Sequence, residues 1–204
     1  MTANKLIFIF LNVVLLNACK ETKQEDKTET KAETKVELPQ DQLQLKVNQL
    51  EDSSKAAWKF MIEADDQKIA YTKRLLDEIS YTPKYNVVKH AQLVEKCARL
   101  KAKRYEINNL SSEKIDQYDI ATDSLLKQVK ALVLSTPNVE NYPLCSELLN
   151  DINALDNDVV MHRVKYDNWA MEYNKILQNH SEELKAMENT YDSLKPKGTF
   201  QLSE

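Results

Sequence analysis

The most restrictive feature of this 204-residue chain is an apolar stripe of unusual length. Over 143–194 the residues Leu148, Ile152, Leu155, Val159, His162, Tyr166, Trp169, Tyr173, Ile176, His180, Leu184, Met187, Tyr191 and Leu194 succeed one another at alternating steps of four and three. The alternation fails once, from Ile176 through His180 to Leu184, where two fours follow each other. Such steps keep side chains on one face of an α-helix and leave the other face to charged residues. Roughly 52 residues at about 1.5 Å each predict one helix of about 78 Å. A helix cannot bury its own stripe, so the rest of the chain must lie along it. The stripe predicts shape and carries no chemistry by itself.

Glycine is nearly absent: Gly198 stands alone beside five prolines. A glycine-poor chain rich in Lys, Glu and Leu favours long helices over sheets. It also cannot form the glycine-rich loops that cradle phosphates. A first helix is expected over 39–82, opened by Pro39 with Asp41 in its first turn and stopped by Thr82-Pro83. Its stripe is narrow at Leu43, Val47 and Leu50, and widens from Ala57 and Trp58 onward. A second helix is expected over 86–105, with Val87, Ala91, Val94, Cys97 and Ala98 inward. Asn108-Asn109 makes a turn and Ser111-Ser112 an N-cap. The third helix then covers 112–135, with Ile115, Tyr118, Leu125, Val129 and Leu132 inward. Thr136-Pro137 ends it, Pro143 starts the long helix, and Lys195-Pro196-Lys197-Gly198 closes that one.

Short connections make successive helices antiparallel. The expected fold is therefore all-α, an antiparallel up-down four-helix bundle. Two long outer helices (39–82 and 143–194) enclose a shorter hairpin (86–105 and 112–135). Its core should join Leu125, Val129, Leu132, Ile152, Leu155 and Val159 to Met61 and Ile79.

The chain before residue 39 is different in kind. Residues 6–16 are apolar except for Asn12, a run of about 11 residues that is too short to span a bilayer. Leu16-Asn17-Ala18-Cys19 follows. Together they read as an export signal over 1–18 and resemble a bacterial lipobox, in which Cys19 is diacylated and becomes the first mature residue. Residues 19–38 then form a lipidated cysteine and a charged tether, with Glu-Thr-Lys recurring at 21–23, 29–31 and 33–35. With nothing apolar to bury, such a segment is expected to be disordered, reaching roughly 23 Å as a coil. The remainder, 39–204, is the bundle.

Several residues of the long helix also fit a known pattern. Tyr142-Pro143 opens it, and Asn150-Asp151, Asn157-Asp158 and His162-Arg163-Val164-Lys165-Tyr166-Asp167-Asn168 follow. Glu172-Tyr173-Asn174 and a terminal Phe200 complete the set, with Asn48-Gln49-Leu50 and Ala57-Trp58 in the first helix. These resemble the LemA family of bacterial envelope proteins over most of 48–200. The chain departs from that family at 71–80 and in having a lipobox where many members keep a transmembrane anchor. The resemblance implies an antiparallel helical bundle outside the cytoplasm, and it brings no reaction with it.

The formal charge is −4, from 28 basic and 32 acidic residues. The two signs are interspersed, so no nucleic-acid partner is expected. Cys19 is reserved for lipid. Cys97 and Cys145 fall at different heights of the bundle, which predicts one buried and one half-exposed thiol rather than a disulfide. His162 with Asp158, and His180, are read as hydrogen-bonded stripe residues, since no further metal ligands join them. Neighbouring carboxylates at Asp65-Asp66 and Asp77-Glu78 point to different helix faces. No catalytic set, metal or other cofactor is expected. Tyr166, Trp169 and Tyr173 are expected to pack between helices, or else to line a groove.

The two short helices should run out of length near residue 167, leaving a two-helix stalk. There Trp169, Tyr173, Leu177, Leu184, Met187 and Tyr191 would form an exposed interaction strip. The expected function is that of a lipid-anchored, non-enzymatic envelope scaffold or interaction module, partnered by the membrane and by an envelope protein or itself. The alternative is a ligand-binding or sensing lipoprotein that uses the aromatic groove of the last helix. Lys20 after the cysteine points to the outer membrane.

Overall fold

A computed structural model of the protein describes residues 39–187, 191 and 193–201. The expected signal, Cys19 and the tether lie outside the described residues. Those described belong to one unit, 36–204, and their regular structure is entirely helical. The helices are α1 (Gln40–Ile79), α2 (Val87–Leu100), α3 (Ser112–Ser135), α4 (Pro143–Asn179) and α5 (Ser181–Ala186). Single 3-10 turns occur at Lys101–Lys103, Ile107–Asn109 and Val139–Asn141.

Local chemistry sets the ends. Asn86 caps α2 by accepting from Lys89 N at 2.9 Å, and Ser111 caps α3 through Lys114 N. Beyond α1, Thr82 Oγ1 donates to Ile79 O at 2.7 Å, covering a carbonyl that has no partner in the helix. With glycine absent from these turns, the left-handed positions fall to Lys84 (φ 62°) and Asn138 (φ 57°). Asparagine accepts that conformation readily, and lysine does so at greater cost.

α1 and α4 form the main pair. Trp58 meets Tyr166 with ring centroids 5.3 Å apart, Phe60 stacks on His162 at 5.6 Å, and Lys68 reaches Asp156 at 2.9 Å. Numbers rise on α1 as they fall on α4, so the two run antiparallel. α2 packs on α1 and α3 over the upper part of this pair. One core there joins Met61, Ile79, Leu125, Val129, Leu132, Ile152 and Val159, as expected, with Leu155 half-buried against it. A second cluster joins Leu43, Val47 and Leu50 to Tyr173, Leu184 and Met187.

Four features differ from the sequence expectation. α4 stops at Asn179 instead of continuing to 194, because His180 leaves the helical region (φ −122°, ψ 30°). This is where the stripe takes two fours in a row. Eight residues advance a helix about 80° beyond two whole turns, so a straight continuation would swing Leu184 away from α1. The break re-aims it.

α2 buries Cys97 as expected, but with Leu93 and Leu100 in place of Val87, Ala91, Val94 and Ala98, leaving Val87 62 % and Val94 38 % exposed. Two leucines remove more apolar surface from water than the alanines at 91 and 98. α2 also gives way to a 3-10 turn after Leu100 instead of reaching 105. Finally, Cys97 and Cys145 are both buried, so neither thiol is half-exposed, and both are free.

Candidate functional site

The side chains best suited to chemistry gather where α1, α3, α4 and the 101–110 connection meet. Asp65, 2 % exposed, accepts from the Tyr118 hydroxyl and from Arg104 Nη1 at 2.8 Å, while its other oxygen faces Lys68 Nζ at 3.1 Å. Lys68, itself 3 % exposed, also donates to Asp156 at 2.9 Å. Arg104 donates further to Asp66, as does Lys101. Beside this group Arg163 forks onto both oxygens of Asp119, at 2.8 and 2.7 Å, and donates to the Tyr105 hydroxyl at 2.6 Å. Burial pushes the Tyr105 phenol up to about 12 and raises Tyr118 further in the same direction. Both therefore stay protonated donors. Charges buried this way are tolerable only because each has partners, and removing one partner typically costs about 3–5 kcal/mol. The cluster ties four segments together.

Below it, α4 presents Tyr166, Asp167, Ala170, Tyr173 and Asn174 on one face, and residues 197–201 lie across them. Asn174 holds the backbone of Lys197 from both sides: Nδ2 donates to its carbonyl at 2.8 Å, and its amide donates to Oδ1 at 2.7 Å. Tyr166 donates to Gly198 O at 3.0 Å. The Asp167 carboxylate accepts from the amides of Phe200 (2.9 Å) and Gln201 (3.0 Å). Burial raises the Asp167 carboxyl above the usual carboxylate range, against the opposing pull of those amides and Arg163.

Phe200 stacks on Trp58 at 5.9 Å and meets Tyr105 and Tyr166 edge-on at 5.3 and 5.8 Å. The Arg163 guanidinium lies 4.9 Å from its ring centroid. Lys197 Nζ sits 4.6 Å from the centre of Tyr173. Gly198 is needed for closeness rather than for φ: a Cβ there would meet Leu110 Cβ at 3.2 Å. It belongs to this crossing instead of closing a helix.

The strip expected to be bare is therefore largely covered. Tyr173 (2 % exposed), Leu184 (3 %) and Met187 (5 %) lie in the second core, with Leu177 and Tyr191 half-buried against it. Trp169 is 41 % exposed and its place in the stripe belongs to Ala170, which is fully buried. Steps of four then three, through Ala170, fit a helix as well as three then four through Trp169. The small side chain, clustered with Ala57, permits the closer crossing.

The histidines are held apart. His162 stacks on Phe60 with a buried Nδ1 that no hydrogen bond reaches, and His180 sits at the helix break, 3.5 Å from Glu183. Among the described residues no group of three His, Cys, Asp or Glu could hold a metal ion.

Sequence reasoning missed the folding-back of 193–201 and the pairing of Asp65, Lys68 and Arg104. The available signal was the placement of Asp167 and Asn174 beside the tyrosine stripe, with Phe200 beyond the last proline. Two hollows accompany the site. One of about 320 Å³ lies between α1 and α2, lined by Ile69, Leu76, Val94 and Cys97. Another of about 1300 Å³ lies between α2, the connection and α3, and gathers Lys96, Arg99, Lys103, Arg104 and Lys114. No described helix is long and apolar enough to cross a membrane. Comparison of the chain with family models, curated proteins and solved structures returns no match.

Proposed function

We propose that this chain is a lipid-anchored, non-enzymatic scaffold of the bacterial cell envelope, an up-down four-helix bundle of the LemA kind held at the outer membrane through Cys19. One observation carries the reading. The side chains most able to do chemistry (Asp65, Lys68, Arg104, Tyr118, Arg163 and Asp167) are engaged with each other or with the chain's own backbone. Such engagement suits a body whose task is to keep its shape. The LemA resemblance gains support from the same place, since Arg163, Tyr166, Asp167, Asn174 and Phe200 answer to one structural demand.

The anchor has a direct test. Cys19→Ala is expected to leave an unprocessed precursor with no acyl group, read by mass spectrometry of the protein from envelope fractions. Normally processed, membrane-retained protein from that variant would overturn the assignment. The second reading, a binding lipoprotein that uses the aromatic groove of α4, is favoured by one fact: that groove holds a linear segment by its backbone.

A further inference from the structure

The open hollow between α2, the 101–110 connection and α3 is opposite in charge to the chain that forms it. The sequence as a whole carries −4, yet this hollow is lined by five basic side chains and two carboxylates, Glu95 and Glu106. The two arginines are already taken. Arg104 donates to Asp65 and Asp66, both at 2.8 Å, and Arg99 to Glu95 at 2.6 Å. The three lysines are available. Lys96 reaches the neutral Gln128 at 3.1 Å, and Lys103 and Lys114 meet no carboxylate among the described residues. A concave surface of one sign focuses its field on a solute of the other. The occupant that fits is an anion.

The rest of the lining narrows its class. Phosphate groups are held best by guanidinium forks, and both forks here are spent within the fold. Nucleic-acid bases need an open aromatic face to stack on, whereas Tyr105, the single aromatic residue of the lining, is 4 % exposed. Lysines are compact point charges. Set on α2, the connection and the first turn of α3, they match carboxylates spaced along a chain. Gln92 and Asn109 bring amides, each with a donor and an acceptor for a hydroxyl, and Glu106 accepts further hydroxyls. Ile120 stands 70 % exposed beside the half-buried Ala121, an apolar step among the charges that neither core uses. It offers a seat for the C–H face of a sugar ring. The volume, about 1300 Å³, exceeds the roughly 300–1,000 Å³ of sites for single small molecules. Several linked rings fit that space.

We propose that this hollow binds an acidic oligosaccharide, its ring carboxylates facing Lys96, Lys103 and Lys114 and one ring seated on Ile120. The site is separate from the aromatic groove of α4, and the proposal requires neither the lipid nor the scaffold reading.

The test uses the full chain in mild detergent and a fluorescently labelled oligogalacturonate, followed by anisotropy. Binding should saturate, and it should weaken as salt rises from about 0.01 M to about 1 M and the screening length falls from about 30 Å to about 3 Å. Lys103→Glu with Lys114→Glu should lower affinity by about tenfold or more, through like-charge contact. Ile120→Ala, which alters no charge, should lower it about fivefold through lost apolar contact. These three side chains are exposed, so the variants should melt like the unaltered chain. Should the charge-reversed variant melt early, Ile120→Ala decides together with hydrogen exchange on the unaltered chain, where the saccharide should slow the amides of 101–110. Absence of binding, protection confined to α4, or an Ile120→Ala chain that binds as well as the original would overturn the proposal. So would an oligoglutamate or a single-stranded DNA of equal charge that binds as tightly, since charge alone would then explain the result.

Discussion

Asp66 stands at the outer edge of the charged cluster, where Arg104 and Lys101 donate to it at 2.8 and 3.0 Å. Burial acts to raise its carboxyl, but those two hydrogen bonds outweigh it and hold the group below the usual carboxylate range. A depressed folded value means stability that is present above the unfolded value, about 3.9, and lost as pH falls through the folded one. Thermal melts should therefore fall in temperature as pH drops below about 4, and Asp66→Asn should flatten that decline. Gly198 gives a steric counterpart. Gly198→Val must push Leu110 aside, and hydrogen exchange at the Phe200 and Gln201 amides should accelerate while α3 is unaffected. Neither role was legible in the sequence. Charge pairing between Asp65, Lys68 and Arg104 depends on a connection whose path no periodicity predicts, and a lone glycine after a proline reads equally well as a turn.

At the scale of elements, stripe spacing predicted what depends on one face being apolar: the existence of α1, α3 and all 37 residues of α4, and the joining of Met61 and Ile79 to Ile152 and Val159. Ile152→Ala should cost about 2–5 kcal/mol in denaturant unfolding, through lost transfer and a cavity. Ile120→Ala, at a position 70 % exposed, should stay within about 0.5 kcal/mol. Spacing failed where two faces satisfied it equally. In α2 the choice of Val87, Ala91 and Val94 or of Leu93 and Leu100 to accompany Cys97 rests on buried area, and in α4 that between Trp169 and Ala170 rests on how closely a neighbour must approach. The end of α4 was written in the sequence as the double step of four around His180, but its consequence needs the direction of α1.

Across the molecule the two cores are unequal. The upper one draws on α1, α2, α3 and α4, whereas the lower draws on α1, α4, α5 and the returning segment. Local opening tracks the number of buried apolar contacts. Amide exchange should therefore release Val47 and Leu50 before Leu75 and Leu76, with both groups protected at low denaturant; equal protection throughout would show a single cooperative unit instead. The same arrangement gives the molecule a mechanical direction. Asn48 meets Tyr191 and Trp58 meets Phe200, so the returning residues rise in the same direction as α1 and the last of them lie against its middle. Tension drawing residues 39 and 201 apart therefore pulls along that shared direction and loads these contacts together, in shear. A zip-like opening needs both forces at one end of the pair, and residues 39 and 201 do not offer it.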